Sequence, residues 1–406
     1  MKRKMICAAL AAVGMLSLST VQAQISDNVI RIGVMNDMSG PFSEIAGPGS
    51  VVAAKMAVED FLRASKSGLK VEVVSANHQN KPDVGAVTAR KWFDTDGVDM
   101  IVDVPVSSVA LAVNQVAREK GKAYINTGAG SPDLTGKDCS PTTVHWLFDT
   151  WMLAHSTGRA VVKSGGDTWF FLTADYAFGH ALERDTANVV KASGGKVIGS
   201  VKAPMNTPDF SSFLLQAQAS KAKVIGLANA GGDTINAVKQ AAEFGIVKGG
   251  QRLAGLLIFL PDVHSLGLQR AQGLNIAESF YWDLNDGTRA WTARFAPLNG
   301  GKYPSADHAA VYSSVLHYLK SVEAAKTDDG AKVVAKMKEL PTDDPLFGKG
   351  KVREDGRKTH PVHLFEVKKP SESTGPYDYY KKLVSIPAEE AFRPMAEGGC
   401  PLVAKK

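Results

Sequence analysis

The chain has 406 residues, is 44% hydrophobic and carries a formal charge of +6, a length that supports two domains with sizeable cores. Lys2, Arg3 and Lys4 supply half of that charge, and the +3 that remains without them does not point to nucleic acid as a partner. Basic residues gather again at Lys349, Lys351, Arg353, Arg357 and Lys358, and at Lys381-Lys382, but no nucleic-acid motif accompanies them and they read as solvated surface.

The opening segment reads as a targeting sequence. Met1-Lys-Arg-Lys4 is basic, Met5 to about Thr20 is apolar, and Val21-Gln-Ala23 places small residues at −3 and −1. A secretory signal peptide over 1–23 is expected, with cleavage after Ala23. The apolar run is short for a membrane span. Cys7 falls in the leader, which leaves Cys139 and Cys400. An even pair in an exported protein suggests one disulfide, with two buried free thiols as the alternative. Two thiols do not complete a tetrahedral zinc shell, and no histidine pair sits at ligand spacing near either, so no metal is expected.

From Val29 the pattern is strand, loop, helix, repeated. Val29–Met35 is a strand, followed by the loop Asn36–Gly49 and a helix from about Ser50 to Ala64. Lys70–Ala76 is the next strand and Val84–Asp94 a helix. Met100–Val104 and Ala123–Asn126 are buried strands flanking a helix. Ser107 and Ser108 stand where that helix begins, placed to cap its amides or to leave them for a ligand. Thr127 to Ser131 is a small-residue loop after the second strand. After Pro141 the alternation restarts. It gives a helix over Thr150–Lys163, strands at Thr168–Thr173, Lys196–Lys202, Val224–Ala228 and Leu256–Leu260, and helices at Gly179–Ala192, Phe210–Ser220 and Thr234–Phe244. Alternation of this kind predicts βαβ units and parallel sheets. The last third is fragmentary. Ile276–Trp282 reads as strand, Arg289–Phe295, Asp307–Ala325 and Val334–Lys338 as helix, and Gly350–Arg353 with His363–Val367 as a hairpin. The tail from Lys369 reads as irregular.

Enzyme motifs are missing. Gly47-Pro-Gly49 has Val52 where a dinucleotide fingerprint needs its third glycine, and Gly136-Lys137 is followed by Asp138 rather than the Ser/Thr of a phosphate loop. Neither Gly-x-Ser-x-Gly nor His-Glu-x-x-His occurs. No cofactor is therefore expected. What the chain offers instead is a set of loop residues at strand ends, where an open α/β sheet binds ligands. The first half supplies Ser39, Phe42, Ser107, Ala129, Gly130 and Ser131, and the second Asp175, Tyr176, Phe178 and Asn229 to Asp233. The Ser107 and Ala129–Ser131 loops carry little charge and many backbone donors, which suits a small anion.

Three stretches, IRIGVMNDMSGPFSEIAGPG from Ile30, VSSVALAVNQVAREKGKAYINTGAGSPDLT from Val106 and FFLTADYAFGHAL from Phe170, resemble the periplasmic solute-binding receptors of branched-chain amino-acid ABC transporters. The resemblance runs from about Val29 to Val367. It implies two doubly wound α/β lobes of the type I periplasmic binding class, with crossovers near Trp146–Asp149, Phe280–Leu284 and Pro345–Lys349. Lobe 1 is then 24–148 plus 284–346 and lobe 2 149–283 plus 347–370, with an irregular tail over 371–406. Ser107 matches the family's carboxylate-holding serine, and Ala129, Gly130 and Ser131 match the loop that completes the anion site. Phe178 falls where leucine-type receptors place a tyrosine, Ala230 or Gly231 where they use a second aromatic, and Leu257 near the acid that pairs with the ligand's ammonium. These departures favour an organic carboxylate without an ammonium, an aromatic acid above a branched-chain amino acid. The implied protein is a monomeric, non-catalytic periplasmic receptor that delivers its ligand to an inner-membrane ABC permease. A ligand sensor of the same fold and, more remotely, a secreted α/β hydrolase are the alternatives.

Overall fold

Continuous apolar runs become strands buried on both faces, as parallel sheets require. The computed structural model describes residues 25–403, so the expected signal peptide lies outside the described residues. Strands β1 (Val29–Asn36), β2 (Lys70–Asn77), β3 (Met100–Asp103), β4 (Ala123–Asn126) and β5 (Thr143–His145) form a parallel sheet in the order β2-β1-β3-β4-β5. Every residue of β3 and β4 is buried, whereas the edge strand β2 alternates toward solvent. Strands β6 (Thr168–Ala174), β7 (Lys196–Ala203), β8 (Val224–Ala228) and β9 (Arg252–Gly255) form a second parallel sheet in the order β7-β6-β8-β9. Helices Gly47–Ala64, Pro82–Asp94 and Ser107–Lys120 connect the first set, and Ala177–Ala192, Ser211–Ala219 and Gly232–Glu243 the second. Strand order reverses between β1 and β3 and between β6 and β8, and ligands collect at such switch points.

The returning pieces complete both lobes. Helix Ala306–Ala325 packs on Gly47–Ala64, so the chain re-enters the first lobe. β10 (Asn275–Glu278) belongs to the second lobe and pairs antiparallel with β14 (Val362–Val367). Between them, β11 (Thr342–Asp344), β12 (Gly348–Val352) and β13 (Lys358–Thr359) form a small antiparallel sheet. Arg357 bridges His145 at the end of β5, which keeps these residues beside the first lobe, later in the chain than the expected crossover near Pro345–Lys349.

Three expected elements differ. The apolar run Leu256–Leu260 is not a strand: the ladder with β8 ends at Gly255. A helix starts at Leu260, where Pro261 sits in the first turn and the Asp262 carboxylate accepts from Phe259 N–H at 2.9 Å. The expected hairpin also re-pairs, because β12 takes β13 as its partner and β14 takes β10. The tail is not irregular throughout. β15 (Tyr380–Ile386) adds to β14 as an antiparallel edge, and its Lys381 and Lys382 stay exposed, a composition that blunts edge pairing with other chains. Helix Thr150–Lys163 forms as expected but contains a π-turn over Ala154–Gly158.

Cys139 and Cys400 are joined by a disulfide, with their Cα atoms 5.7 Å apart, which pins the end of the tail to the first lobe. Arg393 adds a hydrogen bond to the Pro132 carbonyl at 2.9 Å. Closing a loop of this sequence separation, 261 residues, stabilises the folded state by up to roughly 5 kcal/mol in the chain-entropy model. Denatured, unreduced protein without the leader and its Cys7 is expected to show no alkylatable thiol, and Cys400→Ser to lower the unfolding free energy by a few kcal/mol in urea titration; two reactive thiols would contradict the bond.

Candidate functional site

The loops after β1, β3 and β4 face those after β6, β8 and β9 across a narrow cleft. Phe42, Ile45, Pro105 and Gly128 line it from the first lobe, and Tyr176, Phe178, Ala230, Leu257 and Phe259 from the second, around a small void of about 10 Å³. Asp37 shapes the first loop, because its carboxylate accepts from the N–H groups of Gly40 at 2.7 Å and Phe42 at 3.0 Å and from Asn80 at 3.0 Å. The Phe42 ring is thereby turned inward and left 3% exposed.

The lobes touch at this mouth. The Gly232 N–H donates to the Pro41 carbonyl at 3.1 Å. Gly231 has φ +56°, and a Cβ there would sit 2.5 Å from the Pro41 oxygen and 3.0 Å from the Phe42 ring. Only glycine allows both that backbone conformation and that approach. The missing side chain leaves room for Phe42. Gly130 serves similarly, since a Cβ on it would meet the Phe178 and Phe148 rings at about 3 Å.

Ser107 follows the cleft residue Pro105 by two positions, and its side chain does not cap the helix it begins. The residue in the capping position is Val106, and Ser107 is the first helical residue. Its hydroxyl is fully buried and has no hydrogen-bond partner. The backbone reaches it under strain: Asp103 has φ +87° and Val104 φ +63°, a region that β-branched residues avoid. Two bonds hold the kink, Val104 N–H to the Met35 carbonyl at 2.9 Å and Asn36 Nδ2 to Asp103 Oδ2 at 2.9 Å. Beyond it the Ser107–Lys120 helix begins, and a helix start that carries an unpartnered hydroxyl is favourable to an anion.

Other expected residues divide. Phe42, Tyr176, Phe178 and Leu257 line the cleft, with Tyr176 and Phe178 ring centroids 6.0 Å apart. Ala129 does not offer its amide, which already donates to Asn126 Oδ1 at 3.1 Å while its carbonyl accepts from Asn126 Nδ2 at 2.7 Å. The Ser131 hydroxyl accepts from Asp133 N–H at 3.4 Å and starts a short 3-10 turn. Ser39 is exposed and its hydroxyl accepts from Asn77 at 3.4 Å, so it does not join the others. Asn229 is buried, with Oδ1 accepting from Thr234 and Nδ2 unpartnered. Sequence reasoning missed Phe259, whose ring lies 5.5 Å from Phe148. It also missed a second small void of about 10 Å³ at the hinge side, which shares Leu257 and Phe259 with the first and adds Met152, Glu278 and Ser279.

Beneath the Ser107 strand end, Asp103 and Asp307 form a fully buried carboxyl pair. Burial raises Asp103 above the carboxyl range, and burial with the neighbouring Asp103 charge drives Asp307 well above it. Two adjacent carboxyls in a low dielectric do not both ionise, so the pair holds a proton.

Two facing parallel-sheet lobes with a shared apolar cleft and an unpartnered hydroxyl at a helix start define a ligand-capturing receptor of the type I periplasmic binding fold. A family model described as periplasmic binding protein matches residues 29–375. A periplasmic binding protein from Burkholderia mallei superposes with a TM-score of 0.89 at 53% identity, over 92% of this chain and 99% of that one. A branched chain amino acid ABC transporter periplasmic ligand-binding protein from Burkholderia xenovorans gives 0.81 at 38% identity, over 92% and 99%. A solute-binding protein of an ABC transporter from R. palustris, solved in complex with benzoate, shares the fold at a TM-score of 0.78 and 19% identity, over 89% and 98%. The chain belongs to the periplasmic binding protein family, among the solute receptors of branched-chain amino-acid-type ABC transporters. Such receptors bind small molecules and work with a membrane permease. Among the described residues no helix is long and apolar enough to cross a membrane.

The buried carboxyl pair makes a testable contribution to stability. A folded-state pKa raised above the unfolded carboxyl value of about 3.9 gives stability that is complete below that pH and lost as pH rises through the native value. Buried histidines such as His308, lowered by burial to about 4, act in the opposite direction by losing stability as pH falls. A difference measurement separates the two. From pH 4 to 7 the melting temperature of wild type is expected to fall relative to that of Asp307→Asn; parallel pH profiles would mean the pair holds no extra proton.

Proposed function

We propose that this chain captures a small organic carboxylate, an aromatic acid above all, in the inter-lobe cleft and presents it to an inner-membrane ABC permease, without catalysis. The observation that carries the reading is the Ser107 hydroxyl, buried and unpartnered beside free helix amides. A ligand carboxylate supplies the missing acceptor, and a hydrogen bond to a charged group is worth more than one between neutral groups. The rest of the cleft is apolar and aromatic. Phe42 from one side and Tyr176 with Phe178 from the other suit a flat ring.

The cleft is poorly equipped for an ammonium. Leu257 stands near the position from which an acid would pair with it, and Glu278 is the one acid among the residues lining the two voids. Burial pushes the Glu278 carboxyl well above its ordinary range, which favours its neutral form. A buried ammonium without counter-charge is costly. The second reading, branched-chain amino-acid binding, is favoured by the Burkholderia xenovorans relative and by Glu278 itself, should a ligand amine draw its proton away. The non-catalytic reading is supported by the Ser107 hydroxyl, which has no histidine or other base as a hydrogen-bond partner. Closure follows from contacts that the second lobe makes only with a filled cleft, which shifts a hinge equilibrium.

Thermal-shift and calorimetric titration with benzoate, 4-hydroxybenzoate, leucine and valine test the reading. Aromatic acids are expected to stabilise the protein and to be recovered unchanged. Ser107→Ala is expected to weaken their binding by roughly 1.5–3 kcal/mol, the range for a charged hydrogen bond. Stabilisation by leucine alone would reverse the ligand class, and unchanged affinity in Ser107→Ala would remove the serine from the site.

A further inference from the structure

The tail belongs to both lobes. Its β15 lies in the second, paired with β14 from Tyr380 opposite Val367 to Ile386 opposite Val362. Beyond Ile386 the chain leaves that sheet and ends on the first lobe, where Cys400 is bonded to Cys139. Two contacts sit beside the bond. Arg393 donates to the Pro132 carbonyl at 2.9 Å, and a Cβ added to Gly136 would meet the Gly398 carbonyl at 2.8 Å. The path between the lobes follows the third crossing. β14 starts at Val362, so His360 and Pro361 lead into the second lobe next to where Pro387 leads out of it. Phe392 is 1% exposed, with its ring centroid 5.1 Å from that of His360 and 4.9 Å from the Arg357 guanidinium carbon. Arg353 Nη1 donates to the Arg393 carbonyl at 2.9 Å.

We propose that the tail is a fourth crossing of the hinge, made into a covalent strap by the Cys139–Cys400 bond, and that it limits how far the ligand-free lobes swing apart. The three main crossings are single chain segments, which absorb rotation as domain hinges do. A fourth segment fixed at both ends restricts that motion, because turning one lobe against the other displaces one anchor relative to its mate. Hydrogen bonds such as Arg393 to Pro132 would give way to such a displacement, each adding little net stability. The covalent bond does not give way. Nor is the strap slack. Ala388–Ala391 is a helical turn, Met395–Glu397 a 3-10 turn, and Phe392 is buried between them. Lengthening the strap means unwinding these turns and exposing that ring to water, which is unfavourable. The consequence for capture is pre-organisation, since lobes held near the closed arrangement have less freedom to lose when a ligand closes them. None of this depends on which ligand the cleft takes.

Small-angle X-ray scattering of the ligand-free protein, without its leader, tests it in wild type and two variants. One carries Cys139→Ser together with Cys400→Ser. The other keeps both cysteines and has about ten Gly and Ser residues inserted between Pro387 and Ala388, a flexible addition that slackens the strap at small entropic cost. Both variants are expected to show a radius of gyration larger than wild type by on the order of 1 Å, against roughly 21 Å for a compact chain of this length. Melting curves report whether either variant is misfolded, and the insertion separates a slack strap from the loss of stability that accompanies a missing bond. Equal radii in all three proteins would overturn the proposal. Expansion in the serine variant alone, with the insertion variant matching wild type, would overturn it as well, because the bond would then act on stability and not on the hinge.

Discussion

The buried ion pair between Arg357 and Asp149 is the joint on which both lobes and the cleft depend. Each side chain is about 1% exposed. Asp149 belongs to the first crossing between the lobes, and Arg357 to the segment that runs beside β5 before the chain returns to β14. The guanidinium also donates to the Leu147 carbonyl and lies 4.9 Å from the Phe392 ring centroid. Burial would push the Asp149 carboxyl up, but the Arg357 charge outweighs it and holds the group at about 2. A buried pair of this kind adds little net stability over an apolar replacement, yet losing one partner strands a charge at a cost of about 3–5 kcal/mol. Its use here is positional. Asp149 also accepts from Met152 N–H at 2.8 Å and so starts the helix that brings Met152 to the inner end of the cleft. Thr150 N–H then donates to the Gly130 carbonyl at 3.0 Å, which ties the small-residue loop to the second lobe.

From that joint the two halves of the cleft follow as separate solutions to one problem. The first lobe spends backbone strain at Asp103 and Val104 to present a bare hydroxyl and helix amides. The second lobe presents rings and aliphatic wall. Gly231 lets the lobes meet without a side chain between them, so Phe42 of the first lobe shares the cleft lining with Tyr176 and Phe178 of the second. In the proposed function the first lobe supplies the anion contacts and both lobes supply the ring contacts, and the two sets are satisfied together only when the lobes close.

Much of this architecture is readable from the residues, for identifiable reasons. β3, β4 and β8 are short, wholly buried runs bounded by small polar loops, which is the pattern of a central parallel strand. Leu256–Leu260 carries the same apolar signal, but its burial comes from the cleft wall and the following helix, which periodicity does not distinguish from a strand. β15 is hidden in the sequence because an edge strand with exposed lysines lacks an apolar pattern. At the site, Ser107, Phe42, Tyr176, Phe178 and Leu257 stand at strand ends and could be found. The engagement of Ala129 by Asn126 and the exposure of Ser39 depend on side-chain contacts that no local pattern encodes. Glu278 and Ser279 reach the cleft only because β10 pairs with a strand more than eighty residues later.

The most direct measurement is the identity and stoichiometry of what the full-length protein carries when purified from a bacterial periplasm under native conditions. Native mass spectrometry, followed by denaturation and analysis of the released small molecule, reads both. One organic carboxylate per chain, released chemically unchanged and lacking an amine, is the expected result. A released amine-bearing ligand, a molecule without a carboxylate, or a product of turnover would contradict a non-catalytic carboxylate receptor built around Ser107.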